Sequence, residues 1–178
     1  MIKQTIGFNS PLLRATTHEV TLFDNTLETV VQDLVETCLF HGGVGLAAPQ
    51  IGCSLRAFVV CEHNTPVKVF INPQIEYLGE DIDSEEGCLS IPGVRAKRKR
   101  NTIVKVTFQT TSGDTVEKVY EGLTAIIIQH EYDHLKGELF IDKLDDFICP
   151  VCKKIHMNLK SRICSVECFM SLKKKGEK

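Results

Sequence analysis

The chain has 178 residues, of which 43% are hydrophobic and 25% are charged, which suits one soluble domain with room for a small appendage. No apolar run approaches the roughly 20 residues that a membrane-spanning helix requires, which excludes a helical membrane protein. The formal net charge is −2, but residues 149–178 carry eight Lys and Arg against two acidic residues, so the C-terminal end is basic and the rest is acidic.

The start of the chain contains no apolar stretch of the signal-peptide kind and is not rich in Arg and Ser. We therefore expect a cytosolic (cytoplasmic) protein without a signal or transit peptide. Thiols stay reduced in the cytosol, so the eight cysteines are expected to bind metal, to take part in catalysis or to lie buried. Cys38, Cys53 and Cys61 stand alone in apolar surroundings and are predicted to be small buried hydrophobic residues.

The predicted elements begin with a helix over residues 24–43, where apolar residues recur at the helical period. Asn25 and Glu28 have the spacing of a capping box. Gly42 and Gly43 are predicted to end the helix, because glycine accepts the left-handed conformation found there. Runs rich in Val, Ile and Phe or Thr follow and predict the strands Arg56–Cys61, Val67–Tyr77, Thr102–Thr110 and Thr115–Tyr120.

The last two predicted strands flank residues 112–114, a Ser-Gly-Asp sequence typical of a hairpin loop. A second helix is predicted over Glu121–Lys136, closed by Gly137. The order of helix, several strands and helix predicts an α+β fold with antiparallel or mixed sheets around the second helix, rather than alternating βαβ units.

The second predicted helix carries an HExxH motif at His130–His134. Residues four apart share a helix face, so both imidazoles can reach one cation. Because Ile126 and Ile127 lie one turn earlier, this face should look into a site walled by apolar groups. Glu131 lies one step round the helix and is placed to move a proton without ligating the metal. Two unrelated helical histidines are the alternative.

A catalytic metal usually has three protein ligands and one position open to water, so the two histidines need a third ligand. Cys88 is the best candidate, because it follows an acidic, glycine-containing turn within Glu86–Ser90. Taken alone, Cys88 would be interpreted in preference as a buried structural cysteine.

A glycine-rich segment, Gly43–Gln50, follows the first helix, and its small residues let the backbone come close to a substrate. Gln50 brings a side-chain amide that can donate to a developing oxyanion. The segment does not precede a helix in the phosphate-loop pattern, so nucleotide binding is not expected.

These three segments together resemble the peptide deformylases, whose motifs have the forms GxGxAAxQ, EGCLS and QHExDH. Here they read Gly43–Gln50, Glu86–Ser90 and Gln129–His134, intact and in the same order. The resemblance extends over about Ser10–Asp145 and includes the Ile-Pro-Gly of residues 91–93. It implies a peptide-deformylase-like fold and a catalytic domain over residues 1–145.

The resemblance implies hydrolysis of the formyl group on the N-terminal methionine of newly made polypeptides, with release of formate. The implied ligands of a divalent ion are Cys88, His130 and His134. That ion is usually Fe²⁺ in cells, although a thiolate and two imidazoles also accept Zn²⁺, Ni²⁺ or Co²⁺. Glu131 is the implied general acid and base, and the Gln50 amide and the Leu89 backbone N–H would hold the oxyanion.

Substrate contacts are also predicted. Apolar residues that could line a slot for the methionine side chain are Val44, Leu123, Ile126 and Ile127, although core packing explains each of them equally well. Backbone groups that could bind an extended peptide by strand addition are those of Gly43, Gly45 and Gly87. Arg95 falls where the family often has an arginine near the peptide, but the basic run of residues 95–100 is alternatively a solvated face. Glu86 and Asp133 are candidates to orient the ligands by hydrogen bonds.

Residues 146–178 extend beyond the family core and are predicted to form a small zinc-binding module with a basic tail. Two close cysteine pairs match a structural Cys₄ zinc site: Cys149, Cys152, Cys164 and Cys168. The segment resembles treble-clef zinc knuckles, but Lys153 replaces the glycine that usually follows the first pair. Two disulfides in an exported protein are the alternative. The basic charge suggests contact with the ribosome through its RNA.

Two other functions are compatible with part of the sequence. An HExxH metallopeptidase is one, but such enzymes usually complete their site with His or a carboxylate, which Cys88 and Gln50 do not match. A catalytically inactive module that binds metal or nucleic acid is the other, and the intact Glu131 argues against it. The expected partners are N-formylmethionyl nascent polypeptides, with no membrane and with a monomeric chain.

Overall fold

The computed structural model describes residues 1–143 and the residue pairs 147–148 and 155–156. Within this part the helices are α1 (Asn25–Phe40) and α2 (Gly122–Leu135), with short 3₁₀ helices at Pro11–Arg14, Ala48–Ile51 and Phe140–Lys143. The strands are β1 (Gly45–Ala47), β2 (Ala57–Val60), β3 (Lys68–Tyr77), β4 (Asp81–Cys88), β5 (Ile91–Asn101), β6 (Ile103–Gln109), β7 (Thr115–Glu121), β8 (Phe147–Ile148) and β9 (Ile155–His156). The predicted α+β class is confirmed. The predicted zinc ligands Cys149, Cys152, Cys164 and Cys168 lie outside the described residues.

Helix α1 lies where the apolar period predicts it, and its start is set by Asp24. The Asp24 carboxylate accepts hydrogen bonds from two backbone N–H groups of the first turn, at 2.9 and 3.2 Å. The predicted capping box of Asn25 and Glu28 is therefore wrong, because Asp24 already satisfies the free N–H groups at the helix start. The chain leaves the helix through Gly42, which has a φ of +65° as the glycine pair predicts.

Five antiparallel strands form the main sheet in the order β1-β2-β3-β6-β7. The predicted hairpin of β6 and β7 is confirmed, and β2 and β3 lie within their predicted runs. Phe70 stacks between Phe58 and Phe108, with ring centroids 4.8 and 4.7 Å away. Helix α2 packs on these rings through Ile128 and Leu135, which are fully buried. The sheet therefore fixes the helix that carries the HExxH motif.

A second hairpin, formed by β4 and β5, was not predicted from the sequence. Almost half of the residues in its strands are charged, and along β5 the side chains alternate between the interior and solvent. Arg98 and Arg100 are buried, whereas Lys97 and Lys99 are exposed. The interpretation of residues 95–100 as one solvated face is therefore wrong for the two buried arginines, because a strand directs successive side chains to opposite faces.

Helix α2 occupies almost the whole predicted range, and the chain turns away at Gly137, which has a φ of +74°. A Cβ atom at Gly137 would lie 2.5 Å from the carbonyl oxygen of Arg14, so the turn also needs glycine for space.

Cys38 and Cys61 are buried as predicted, while Cys53 is only half-buried. Neither helix in the described part of the chain has the length and apolar character needed to span a bilayer.

Candidate active site

The three predicted metal ligands converge at the contact between β4 and α2. Cys88 is the last residue of β4, and His130 and His134 lie one turn apart on the buried side of α2. Their ligand atoms all lie within 4.8 Å of one another, and Cys88 Sγ is 3.3 Å from Nε2 of His134. A thiolate and two imidazoles at this spacing form a possible metal site, with the donor set that borderline-soft divalent ions accept.

The orientation of His130 is set by Glu86, whose Oε2 lies 2.8 Å from Nδ1 of the imidazole. With Nδ1–H donating to this carboxylate, Nε2 of His130 is left free to bind a cation. Burial raises the pKa of Glu86, but hydrogen bonds from Arg100 and His130 outweigh burial and bring the pKa down to about 2. Glu86 is therefore a carboxylate at neutral pH and can accept the imidazole N–H.

Two buried arginines neutralise the two buried carboxylates beside the ligands. Arg100 donates from Nε and Nη2 to both oxygens of Glu86 and from Nη1 to Asp133, at 2.7 Å. Arg98 lies 3.0 Å from the same oxygen of Asp133 and donates to the carbonyl of Leu139. Burial raises the pKa of Asp133, but the charges of Arg100 and Arg98 outweigh burial and lower it. Glu86 contacts the ligand candidate His130 as predicted. Asp133 contacts Arg98, Arg100 and Lys136 instead of a ligand, and Nδ1 of His134 has no hydrogen-bond partner among the described residues. The two arginines that hold these carboxylates were missed.

Glu131 lies 4% exposed beside the ligands, and its Oε2 has no hydrogen-bond partner among the described residues. Burial raises the pKa of this carboxyl to about 7. Gly45 makes room for it, because a Cβ atom at that position would lie 2.6 Å from Oε1 of Glu131. A buried carboxyl group with an unsatisfied oxygen, on the same cleft lining as Cys88 and His130, is suited to hold and move a proton.

The side-chain amide of Gln50 lies beside the ligand candidate Cys88. Its Nε2 lies 3.3 Å from Cys88 Sγ and 3.2 Å from Ser90 Oγ, and its Oε1 accepts the N–H of Ala47 at 2.8 Å. The 3₁₀ helix at Ala48–Ile51 places the amide there. Leu89, in the two-residue turn between β4 and β5, lies in the same wall.

These groups lie in a cleft of about 880 Å³. Every substrate contact predicted from the sequence lies on its lining: Gly43, Val44, Gly45, Gly87, Arg95, Leu123, Ile126 and Ile127. Their exposure differs, since Ile127 is 5% exposed and Leu123 is 60% exposed. The side chain of Arg95 is exposed and forms an ion pair with Glu85 across the hairpin, at 2.7 Å.

Gln129, the first residue of the third motif, holds β5 against α2. Its Oε1 accepts the backbone N–H of Asn101 at 2.9 Å, and its Nε2 donates to the Asn101 carbonyl at 2.7 Å and to the Ala125 carbonyl at 2.9 Å. The sequence names Gln129 only as part of a motif. No local pattern could have indicated its partner, because Asn101 lies 28 residues away.

A family model described as polypeptide deformylase matches residues 2–147 of the chain. The chain belongs to the polypeptide deformylase family. Relatives in the family include the peptide deformylase of Thermotoga petrophila, which is 45% identical over 138 residues, 77% of this chain and 84% of the relative. The family assignment makes the chain a metal-dependent hydrolase.

Solved structures of the polypeptide deformylase family share the fold. The crystal structure of peptide deformylase from Thermotoga maritima is 40% identical with a TM-score of 0.78, and the match covers 81% of this chain and 98% of that one. A class I type b peptide deformylase from Acinetobacter baumannii with Met-Ala-Ser bound is 34% identical with a TM-score of 0.77, covering 81% of this chain and 99% of that one.

Proposed function

We propose that this chain removes the formyl group from the N-terminal formylmethionine of newly made polypeptides, with Cys88, His130 and His134 as metal ligands and Glu131 as the acid and base. The observation that carries the proposal is the convergence of the three ligand atoms, within 4.8 Å, in the same part of the molecule as Glu131, whose buried Oε2 has no partner among the described residues. The names of the family and of the relatives above support the substrate.

The residues fit a divalent cation in their chemistry as well as their spacing. Nδ1 of His130 is taken by Glu86, which leaves Nε2 for the ion. Burial lowers the pKa of His134, which favours the neutral imidazole that a metal needs. The proposed native ion is Fe²⁺, and Zn²⁺, Ni²⁺ and Co²⁺ suit the same donors. When bound, such an ion would supply Lewis-acid chemistry that lowers the pKa of water to about 7.

The protein's own residues transfer the protons and stabilise the negative oxygen. Glu131 takes a proton from the attacking water as the oxygen adds to the formyl carbon. The Nε2 group of Gln50 and the backbone N–H of Leu89 donate to the oxygen that becomes negative, and one such donor is typically worth about 3–4 kcal/mol in the transition state. Glu131 then gives its proton to the departing amine as the C–N bond breaks, leaving formate and a free N-terminus.

The cleft suits an extended peptide that begins with methionine. Val44, Ile126 and Ile127 offer apolar surface next to the ligands for the methionine side chain. β1 is the edge strand of the main sheet and β4 is one strand of a two-stranded hairpin, so each has an edge free of partners among the described strands. A peptide backbone could pair with these edges near Gly45 and Gly87. Arg95, exposed at the same cleft, is proposed to contact the peptide.

The test is release of formate from a formyl-methionyl peptide under anaerobic conditions, using the chain loaded with Fe²⁺. Glu131→Ala should keep the metal and lose turnover, because Glu131 moves the proton without ligating the ion. Cleavage of a peptide bond instead of formate release would favour the alternative, an HExxH metallopeptidase. Loss of metal in Glu131→Ala would contradict the assigned role. Lack of any hydrolysis would favour an inactive metal-binding module.

A second metal site is proposed in the C-terminal residues 146–178, as a unit separate from a catalytic domain of residues 1–145. The proposal rests on the sequence spacing of the paired cysteines. Its proposed Zn²⁺ ligands are Cys149, Cys152, Cys164 and Cys168. Mass spectrometry of anaerobically purified protein should find two ions per chain, and Cys149→Ser with Cys152→Ser should leave one. Two ions in that double variant would contradict the second site.

The basic C-terminal residues are proposed to contact the ribosome through its RNA, with the chain monomeric in the cytosol. Residues 149–178 carry eight basic and two acidic residues, and such a balance favours a polyanion. Ribosome co-sedimentation of the full chain should exceed that of a chain ending at Asp145, and the difference should fall as salt rises. Equal binding of the two chains would contradict this partner. Sedimentation velocity of the free chain tests the monomer.

A further inference from the structure

The side chain of Ser90 is one of three groups that fix the Gln50 amide. The Ala47 N–H donates to Oε1 of Gln50 at 2.8 Å, which fixes the amide oxygen. On the other side, Nε2 lies 3.2 Å from Ser90 Oγ and 3.3 Å from Cys88 Sγ. An amide nitrogen has two hydrogens, so these two acceptors use both of them. Gln50 and Ser90 are each 1% exposed, so water does not compete for these bonds.

The backbone also holds Gln50 and Ser90 at a fixed separation. An N-terminal segment crosses both residues: the N–H of Ile6 donates to the Gln50 carbonyl at 2.8 Å, and the N–H of Phe8 donates to the Ser90 carbonyl at 3.1 Å. Successive bonds two residues apart are typical of an extended chain bound along an edge. The hydroxyl of Ser90 is therefore presented to Gln50 by a braced backbone and not by a free loop.

The two N–H groups of Gln50 consequently have different surroundings. One is taken by Ser90, which lies away from the metal ligands in the turn after Cys88. The other points at Cys88 Sγ, and both Gln50 and Cys88 line the cleft. Because the terminal torsion of a glutamine is broad, the amide plane needs a partner on each side to hold one angle. Ala47 supplies one partner, and Ser90 supplies the other.

We propose that Ser90 is a positioning residue for the reaction: its hydroxyl accepts one N–H of Gln50 so that the second N–H stays on the side of Cys88, where it turns from the Cys88 sulfur to the oxygen that becomes negative in the transition state. This inference rests on the proposed function, because it assumes that Gln50 donates to that oxygen. A merely structural Ser90 would contribute to folding and would leave the reaction rate of folded enzyme unchanged.

The first measurement is steady-state formate release by Ser90→Ala in the metal-loaded full chain. We expect kcat to fall on the order of tenfold with little change in KM, because the lost alignment matters for an interaction made in the transition state. Metal content should stay at the level of the unmodified chain. Ser90→Cys, which is close in size but accepts hydrogen bonds weakly, should lower kcat in the same direction and covers the case in which Ser90→Ala does not fold.

The deciding measurement is a double-mutant cycle with Gln50→Ala. If Ser90 acts through Gln50, Ser90→Ala should cause no further loss of kcat in the Gln50→Ala background. Thr37→Val is the matched control, because Thr37 is fully buried on α1 and its hydroxyl likewise accepts a hydrogen bond, from the N–H of Lys3 at 2.9 Å. It should lower stability and leave kcat unchanged.

Three results would overturn the role of Ser90: an unchanged kcat in folded Ser90→Ala or Ser90→Cys, losses that multiply in the cycle, or a kcat loss in Thr37→Val as large as that in Ser90→Ala. Absence of formate release by the unmodified, metal-loaded chain is a different outcome. It would contradict the proposed function itself, and the role of Ser90 with it.

Discussion

Arg100 donates hydrogen bonds to both oxygens of the buried Glu86 carboxylate. The same carboxylate accepts the N–H of His130, a metal-ligand candidate. The guanidinium on β5 thus sets the angle of an imidazole on α2 through one carboxylate on β4. Arg100 also donates to Asp133, which directly precedes His134 in the chain. One buried guanidinium therefore binds the carboxylate that contacts His130 and the carboxylate next to His134. An arginine suits this role because its planar group donates in several fixed directions at once.

Replacing Arg100 should therefore damage both the fold and the metal site. Arg100→Met leaves Glu86 as a buried charge without its main partner, which should lower the free energy of unfolding by about 3–5 kcal/mol. Metal content should fall as well, because His130 loses its orientation. Urea unfolding and metal analysis measure the two effects. Lys99→Met, one residue away on the exposed face of β5, is the control and should change little. Similar losses in both variants would contradict the special position of Arg100.

Gly45→Ala should lower turnover more than stability. The added Cβ would lie 2.6 Å from Oε1 of Glu131 and 2.8 Å from Cγ2 of Ile127, so the catalytic carboxyl must shift. A displacement near 1 Å can cost about a hundredfold in rate, and kcat for formate release should show such a loss while the metal is retained. Gly87→Ala is the control for folding and metal content, since its Cβ would meet nothing closer than 3.6 Å. Full activity in Gly45→Ala would show that Glu131 has more room than the structure gives it.

Gln129→Met should destabilise the chain strongly although the shape of the side chain is kept. The change leaves the buried N–H and C=O of Asn101 without their partners. Each unsatisfied buried group costs about 1–3 kcal/mol, so a total loss of about 2–6 kcal/mol is expected in urea unfolding. Gln32→Met is the matched control, because Gln32 is exposed on α1 and bonds only at the surface, to Glu36. A loss of unfolding free energy in Gln129→Met no larger than in this control would contradict the role of Gln129 in holding β5 against α2.

These residues also mark how far the sequence could predict the structure. The helical period located α1 and α2, and the three motifs named the residues of the possible metal site and Glu131. The β4–β5 hairpin was missed because almost half of its strand residues are charged, and charge usually indicates solvent. Arg98 and Arg100 lie inside only because Glu86 and Asp133, from two other elements, neutralise them there. Such compensation depends on tertiary pairing, which a local pattern does not contain.

Removing the catalytic ion should loosen the contact between β4 and α2. A ligand present at 100 times its dissociation constant stabilises a protein by about 2.7 kcal/mol, so a chelator should lower Tm by roughly 5–10 °C for a chain of this size. His134→Ala should lose most of this shift, because one ligand of the ion is gone. The measurement is made in the Cys149→Ser, Cys152→Ser background, so that the proposed zinc site does not contribute. An equal chelator shift in His134→Ala would mean that the ion lies elsewhere.

The alternation along β5 implies that successive residues of one strand differ in how many substitutions they tolerate. In a saturation scan of residues 97–100, tolerated substitutions should be many at Lys97 and Lys99 and few at Arg98 and Arg100, so that the tolerance profile oscillates with a period of two. The outward positions of this hairpin are thus suitable for attaching a spectroscopic probe within reach of the cleft. A label there would report on peptide binding without touching the groups that hold the histidines.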